Sequence, residues 1–141
     1  MPLSALFLAQ DNGATVCGLD RDEQAVAHAR SMLESLGVTG VHLLHRDIER
    51  FAELDGYDLV VLAALVGETA PVKRRIVRSL GRHMAPGAHL VVRSAHAMRT
   101  LLYPPMAIED FDPFELLALI HPYGEVINSV AIARLPDRPV R

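Results

Sequence analysis

The fold turns on Tyr57-Asp58-Leu59-Val60-Val61-Leu62-Ala63-Ala64-Leu65-Val66-Gly67. An acidic turn residue, an unbroken apolar run rich in Val and Leu, and a closing Gly read as a strand buried on both faces, central in a parallel α/β sheet. Helices are expected to cover it front and back. Open α/β sheets bind ligands in the crevice beyond the carboxyl ends of their strands, so Ala63 to Glu68 is expected to form part of a ligand-site floor. The small residues Ala63, Ala64 and Gly67 would let a ligand approach the backbone there.

Working outward, 141 residues fit one domain able to bury a core, expected over residues 1–135 with a mobile tail over 136–141. A hydrophobic fraction of 50% with 22% charged residues excludes a disordered or fibrous chain, and a net charge of -3 argues against nucleic acid as the main partner. The basic residues Lys73, Arg74, Arg75, Arg78 and Arg82 share one predicted helix and read as a solvated face. The single cysteine, Cys17, excludes an intramolecular disulfide, is compatible with a reducing cytoplasmic setting, and reads as a small buried hydrophobe within a strand. No stretch reaches the roughly 18 to 20 apolar residues of a membrane span, and no membrane partner is expected.

In chain order, Leu3, Leu6 and Phe7 follow helical spacing up to a stop at Asp11-Asn12-Gly13. Ala14 to Leu19 reads as a strand ending at Asp20. Asp22 then caps a helix carrying Val26, Ala29, Leu33 and Leu36, closed by Gly37. Val41 to His45 is the next strand, ending at Arg46-Asp47, and Ile48 to Leu54 reads as a short helix or loop. After the central strand, Thr69 caps a helix with the stripe Ile76, Val77, Leu80 and Met84, stopped by Pro86-Gly87. Ala88 to Arg93 reads as a strand, Ser94 to Tyr103 as loop or helix, Phe114 to His121 as a strand, and Val126 to Arg134 as a last, antiparallel strand. The alternation gives an α/β class: a doubly wound, mostly parallel Rossmann-like sheet with a closing hairpin.

Two acids stand at successive strand ends. Asp20 is placed like the carboxylate that accepts hydrogen bonds from ribose hydroxyls in nucleotide-binding α/β domains, and Asp47 could face an adenine amino group. Each alone also reads as a helix cap or turn residue. The segment from Arg93 to Tyr103 adds donors on the same edge. Arg93 and Arg99 could hold a carboxylate, His96 could move a proton near neutral pH, and Tyr103 could orient either. The remaining histidines lack paired ligand spacing, so no metal site is expected.

Pro2-Leu3-Ser4-Ala5-Leu6-Phe7-Leu8-Ala9, Leu62-Ala63-Ala64-Leu65-Val66-Gly67, His83-Met84-Ala85-Pro86-Gly87, Arg93-Ser94-Ala95-His96, Leu102-Tyr103-Pro104 and Glu125-Val126-Ile127-Asn128-Ser129-Val130 together resemble the nicotianamine synthase family. The words run in order from Pro2 to about Arg134. The resemblance implies a class I S-adenosylmethionine domain that transfers the 3-amino-3-carboxypropyl group of S-adenosyl-L-methionine to an amine, releasing methylthioadenosine, in metallophore biosynthesis. By that analogy Asp20 takes the ribose and Asp47 the adenine, and Ala63, Ala64, Leu65 and Val66 line the donor sulfur. Glu68 and Arg93 face the acceptor, and His96, Arg99 and Tyr103 orient carboxylates or handle the proton. The acceptor is then a small-molecule amine, such as histidine or another donor-derived unit.

The resemblance also implies that a helical N-terminal domain, a first strand and a Gly-Ser-Gly-Pro loop precede the segment beginning here at Pro2. The chain is accordingly expected to be a fragment, its sheet lacking a strand between the Cys17 strand and the Tyr57 strand. The open edges are expected to favour association, as a homodimer or with another chain. Two other readings stand beside this one: an S-adenosylmethionine methyltransferase, and an inactive nucleoside-binding or partner-binding module.

Overall fold

The computed structural model describes residues 3–67, 69–95, 107–121 and 128–137. The backbone groups into two compact units, Met1–Phe51 and Ala52–Arg141.

In the first unit, α1 (Leu3–Gln10) is followed by β1 (Val16–Asp20), α2 (Glu23–Ser35) and β2 (Val41–His45). The strands pair in parallel, from Val16 opposite Val41 to Asp20 opposite His45. The α2 boundary follows the sequence signals: Asp22 Oδ1 accepts from the Gln24 amide at 2.9 Å and the Ala25 amide at 3.3 Å. At the other end Gly37 takes the left-handed conformation, with φ 64°, that glycine adopts without strain. Of the expected stripe, Val26 and Leu33 are buried, whereas Leu36 lies past the helix end and is exposed. Cys17 is only half-buried, because the two-stranded sheet offers too little cover to enclose its side chain. Replacing Asp22 with alanine removes the acceptor for two helix amides and is expected to cost about 1 kcal/mol, read by urea unfolding.

The second unit holds β3 (Leu59–Leu62), α3 (Ala70–His83), β4 (His89–Ala95), β5 (Glu115–Ile120) and β6 (Asn128–Arg134). Its sheet runs in the order β3-β4-β6-β5, with β3 parallel to β4 and β6 antiparallel to both of its neighbours. The closing hairpin read from the sequence is therefore present, although residues 122–127 of its turn lie outside the described residues. The core joins Ile76, Val77, Leu80 and Met84, from α3 and its end, to Leu62, Leu90, Val92, Ala131 and Ala133 on one face of the sheet.

Two expectations are corrected here. The central run is strand only over Leu59–Leu62, and it is not buried on both faces: Leu59 is 41% and Val61 37% exposed. Among the described residues β3 bonds to β4 on one side only, and no ladder joins it to the β1-β2 sheet. The second correction concerns Lys73. It does not belong to the solvated basic face but is completely buried, because it sits three, four and seven residues before Ile76, Val77 and Leu80, on the apolar stripe itself. Arg74, Arg75, Arg78 and Arg82 are not buried with it, and Arg74 Nε pairs with the buried Asp110 at 2.6 Å.

Beyond β6, the Leu135 amide donates to the Ala88 carbonyl at 2.9 Å, and Asp137 meets Arg134 at 2.9 Å.

Candidate functional site

Each parallel strand pair presents a carboxyl edge. In the first unit Asp20 lies opposite His45, and the Arg46 amide donates to the Asp20 carbonyl at 3.0 Å. This brings Asp20 and Asp47 to the same edge, as expected from the sequence. Asp20 is exposed and its Oδ1 accepts from the Asp22 amide at 3.0 Å; Asp47 is half-exposed and its Oδ1 accepts from the Glu49 amide at 3.0 Å. Both acids are thus turn or cap residues that hold one oxygen on the backbone. His45 Nε2 donates to the Arg21 carbonyl at 3.0 Å, which ties the two strand ends together.

In the second unit the segment after β3 is a turn: the Val66 amide donates to the Ala63 carbonyl at 3.1 Å. Leu65, at its crest, is 72% exposed. Gly67 ends the turn with φ 81°, and a Cβ there would lie 2.8 Å from Lys73 Cα and 2.9 Å from Lys73 N. The turn is therefore seated directly on the first turn of α3, a helix whose start is capped by Thr69. From below, Lys73 Nζ donates to the Ala64 carbonyl at 2.9 Å.

Burial pushes the Lys73 ammonium below the ordinary lysine value of 10.5, because surroundings stripped of water disfavour the charged form. Between the lowered native value and 10.5 the unfolded chain binds more protons than the native one, so this group makes stability rise with pH across that window. Lys73→Met is expected to abolish the alkaline rise, as measured by urea unfolding at a series of alkaline pH values.

Arg93 lies within β4 rather than at its end. It pairs with Val130, and by alternation with the buried Leu90 and Val92 it shares the opposite, half-buried face with His89 and Val91. Ser94 and Ala95 extend the strand instead of opening a loop, since β6 supplies partners as far as Ala95 opposite Asn128. Glu68, His96, Arg99 and Tyr103 lie outside the described residues. Lys73 is the residue that sequence reasoning missed at this edge, and its position on the apolar stripe was the available signal.

This architecture is that of the S-adenosylmethionine-dependent methyltransferase-like Rossmann folds. The N-methyltransferase NodS from Bradyrhizobium japonicum superposes with a TM-score of 0.68 at 18% identity, over 96% of this chain and 94% of NodS. The family signature described as "Nicotianamine synthase protein" matches residues 1–139, and the chain belongs to the nicotianamine synthase family. Nicotianamine synthase 9 of Hordeum vulgare is 45% identical over 141 residues, covering 95% of this chain and 42% of that protein. Nicotianamine synthase 1 of Arabidopsis thaliana is 40% identical over 143 residues, covering 95% and 43%. The structure of MtNAS in complex with MTA and tNA superposes with a TM-score of 0.84 at 26% identity, over 96% of this chain and 49% of MtNAS. The chain thus spans less than half the length of these curated relatives.

Proposed function

We propose that the chain is the S-adenosylmethionine-binding part, over residues 1–135, of an aminocarboxypropyltransferase that acts on a small-molecule amine in metallophore biosynthesis. The observation that carries this reading is the family match over residues 1–139, in a family for which MtNAS has been crystallised with S-adenosylmethionine and with MTA and tNA.

In the proposed reaction the lone pair of an uncharged acceptor amine attacks the donor carbon next to the sulfonium. The carbon–sulfur bond breaks, its electron pair stays on sulfur to give neutral methylthioadenosine, and the amine then loses a proton. Such a displacement needs chiefly alignment, which matches a site built from backbone turns and positioned carboxylates. Asp20 takes the ribose and Asp47 the adenine, each through the oxygen not committed to its own turn. Ala63, Ala64, Leu65 and Val66 line the sulfur. Glu68 and Arg93 hold the acceptor, and His96, Arg99 and Tyr103 orient carboxylates and move the proton.

No helix among the described residues is long and apolar enough to cross a membrane, in keeping with a proposed cytoplasmic setting. For association we propose a homodimer formed through the open edge of β3, where Leu59 and Val61 are exposed.

The test is mass spectrometry of S-adenosylmethionine incubated with the chain and a mixture of amino acids including both histidine enantiomers. The reading expects methylthioadenosine above the protein-free control, with one acceptor gaining the aminocarboxypropyl mass. If a longer polypeptide, extended upstream of Met1, also yields no methylthioadenosine, the reading fails.

A further inference from the structure

Burying an ammonium is costly, and a methionine would fill the same space without that cost. At position 73 the chain nevertheless places a fully buried lysine, directly beneath the turn that follows β3. Three contacts converge on this turn from one element. Gly67 rests on the Lys73 backbone, the Lys73 amide donates to the Thr69 carbonyl at 3.0 Å within the helix start, and Lys73 Nζ reaches back to the Ala64 carbonyl at 2.9 Å. The turn is otherwise short of anchors: its internal bond is the one from Val66 to Ala63, and Leu65 at its crest projects into solvent. A charge-assisted donor on the inner side holds the Ala64 carbonyl inward. With that carbonyl turned in, the peptide groups around it have one orientation rather than several.

We infer that Lys73 is a positioning residue, a latch that sets the backbone of Ala63–Gly67 in the form that receives the donor. The inference rests on the reading above for what the turn receives, but the latch itself is a property of the chain alone. Lys73 touches neither donor nor acceptor; it acts through the Ala64 carbonyl.

The test compares the full chain with Lys73→Met, Lys73→Gln and Lys73→Arg by amide hydrogen exchange and by titration with S-adenosylmethionine. In Lys73→Met, exchange at Val66 is expected to rise at least tenfold while the α3 amides of Val77 and Leu80 keep their protection, and donor affinity is expected to fall on the order of 10- to 100-fold. Lys73→Gln, whose amide falls short of the Ala64 carbonyl, gives the same reading if the methionine variant does not fold. Lys73→Arg keeps a charged donor and is expected to restore protection and affinity toward the parent values.

Unchanged Val66 exchange in the folded Met or Gln variant overturns the latch. Faster exchange with undiminished donor affinity overturns the positioning role, leaving a structural contact only. Absence of donor binding by the parent chain counts against the proposed function instead, and the exchange data still decide whether the latch exists.

Discussion

Gly67→Val is expected to lower stability by about 3 kcal/mol, with a fall in the unfolding midpoint on the order of 10 °C. Two costs combine. The backbone at Gly67 has φ 81°, a region that side chains with a Cβ enter only at a penalty of about 1–2 kcal/mol, more for a β-branched residue. The new Cβ would also stand 2.8–2.9 Å from Lys73 Cα, Cβ and N, closer than such atoms approach. Those atoms belong to the first turn of α3 and cannot swing aside as a flexible side-chain tip would. Relief requires the turn to lift from the helix, which withdraws the Ala64 carbonyl from Lys73 Nζ. Gly67→Ala carries the same Cβ with less bulk and should fall between the parent and the valine variant. Thermal unfolding of the three proteins checks the order. A valine variant within 0.5 kcal/mol, roughly the range of a neutral surface change, would show that the turn is not seated on the helix as described.

Asp20→Ala is expected to weaken donor binding roughly 100-fold while leaving the fold standing. Hydrogen bonds from hydroxyls to a carboxylate contribute about 1.5–3 kcal/mol, and each 1.4 kcal/mol is tenfold in affinity. Asp20 is exposed, and its link to the fold is the 3.0 Å bond it accepts from the Asp22 amide. Asp20→Asn separates the two duties. It keeps an oxygen for that amide but loses the charge, so roughly a tenfold loss is expected. Isothermal titration with S-adenosylmethionine, beside a urea unfolding curve for each variant, provides the check. Equal affinity in all three proteins would remove Asp20 from the proposed site.

Much of this fold is legible in residues that answer to local physics. Asp22 and Thr69 cap helices because their side chains meet free amides, and Gly37 ends α2 because it enters the left-handed region without strain. Val41–His45 is readable to the residue, and the antiparallel β5-β6 hairpin to within two. Sequence reasoning errs where tertiary context decides. An apolar run signals burial, but burial needs neighbours, and β3 has a hydrogen-bonded partner on one side only among the described residues. Lys73 groups with the arginines that follow it because charge weighs heavily in sequence, although its spacing to Ile76, Val77 and Leu80 marks the inner face.

The site is legible to a similar depth. The strand ends that carry Asp20 and Asp47 converge on one edge as expected, while Arg93 falls inside β4 because the reach of β6 sets where that strand ends. Nothing in the local sequence states how far a distant antiparallel partner extends. The Lys73 contact with Ala64 likewise joins residues nine apart through a turn whose shape depends on Gly67, so it emerges only once helix and strand are assembled.

The central claim is that the carbon delivered to the acceptor comes from the amino-acid arm of S-adenosylmethionine and not from its methyl group. The most direct measurement uses two donor preparations, one labelled with carbon-13 in the methyl group and one in the aminocarboxypropyl chain, each followed into products by mass spectrometry. The account predicts that the acceptor gains label only from the aminocarboxypropyl preparation and that the methyl label stays on the released thioether. Methyl label in the acceptor, with S-adenosylhomocysteine as the co-product, would contradict it.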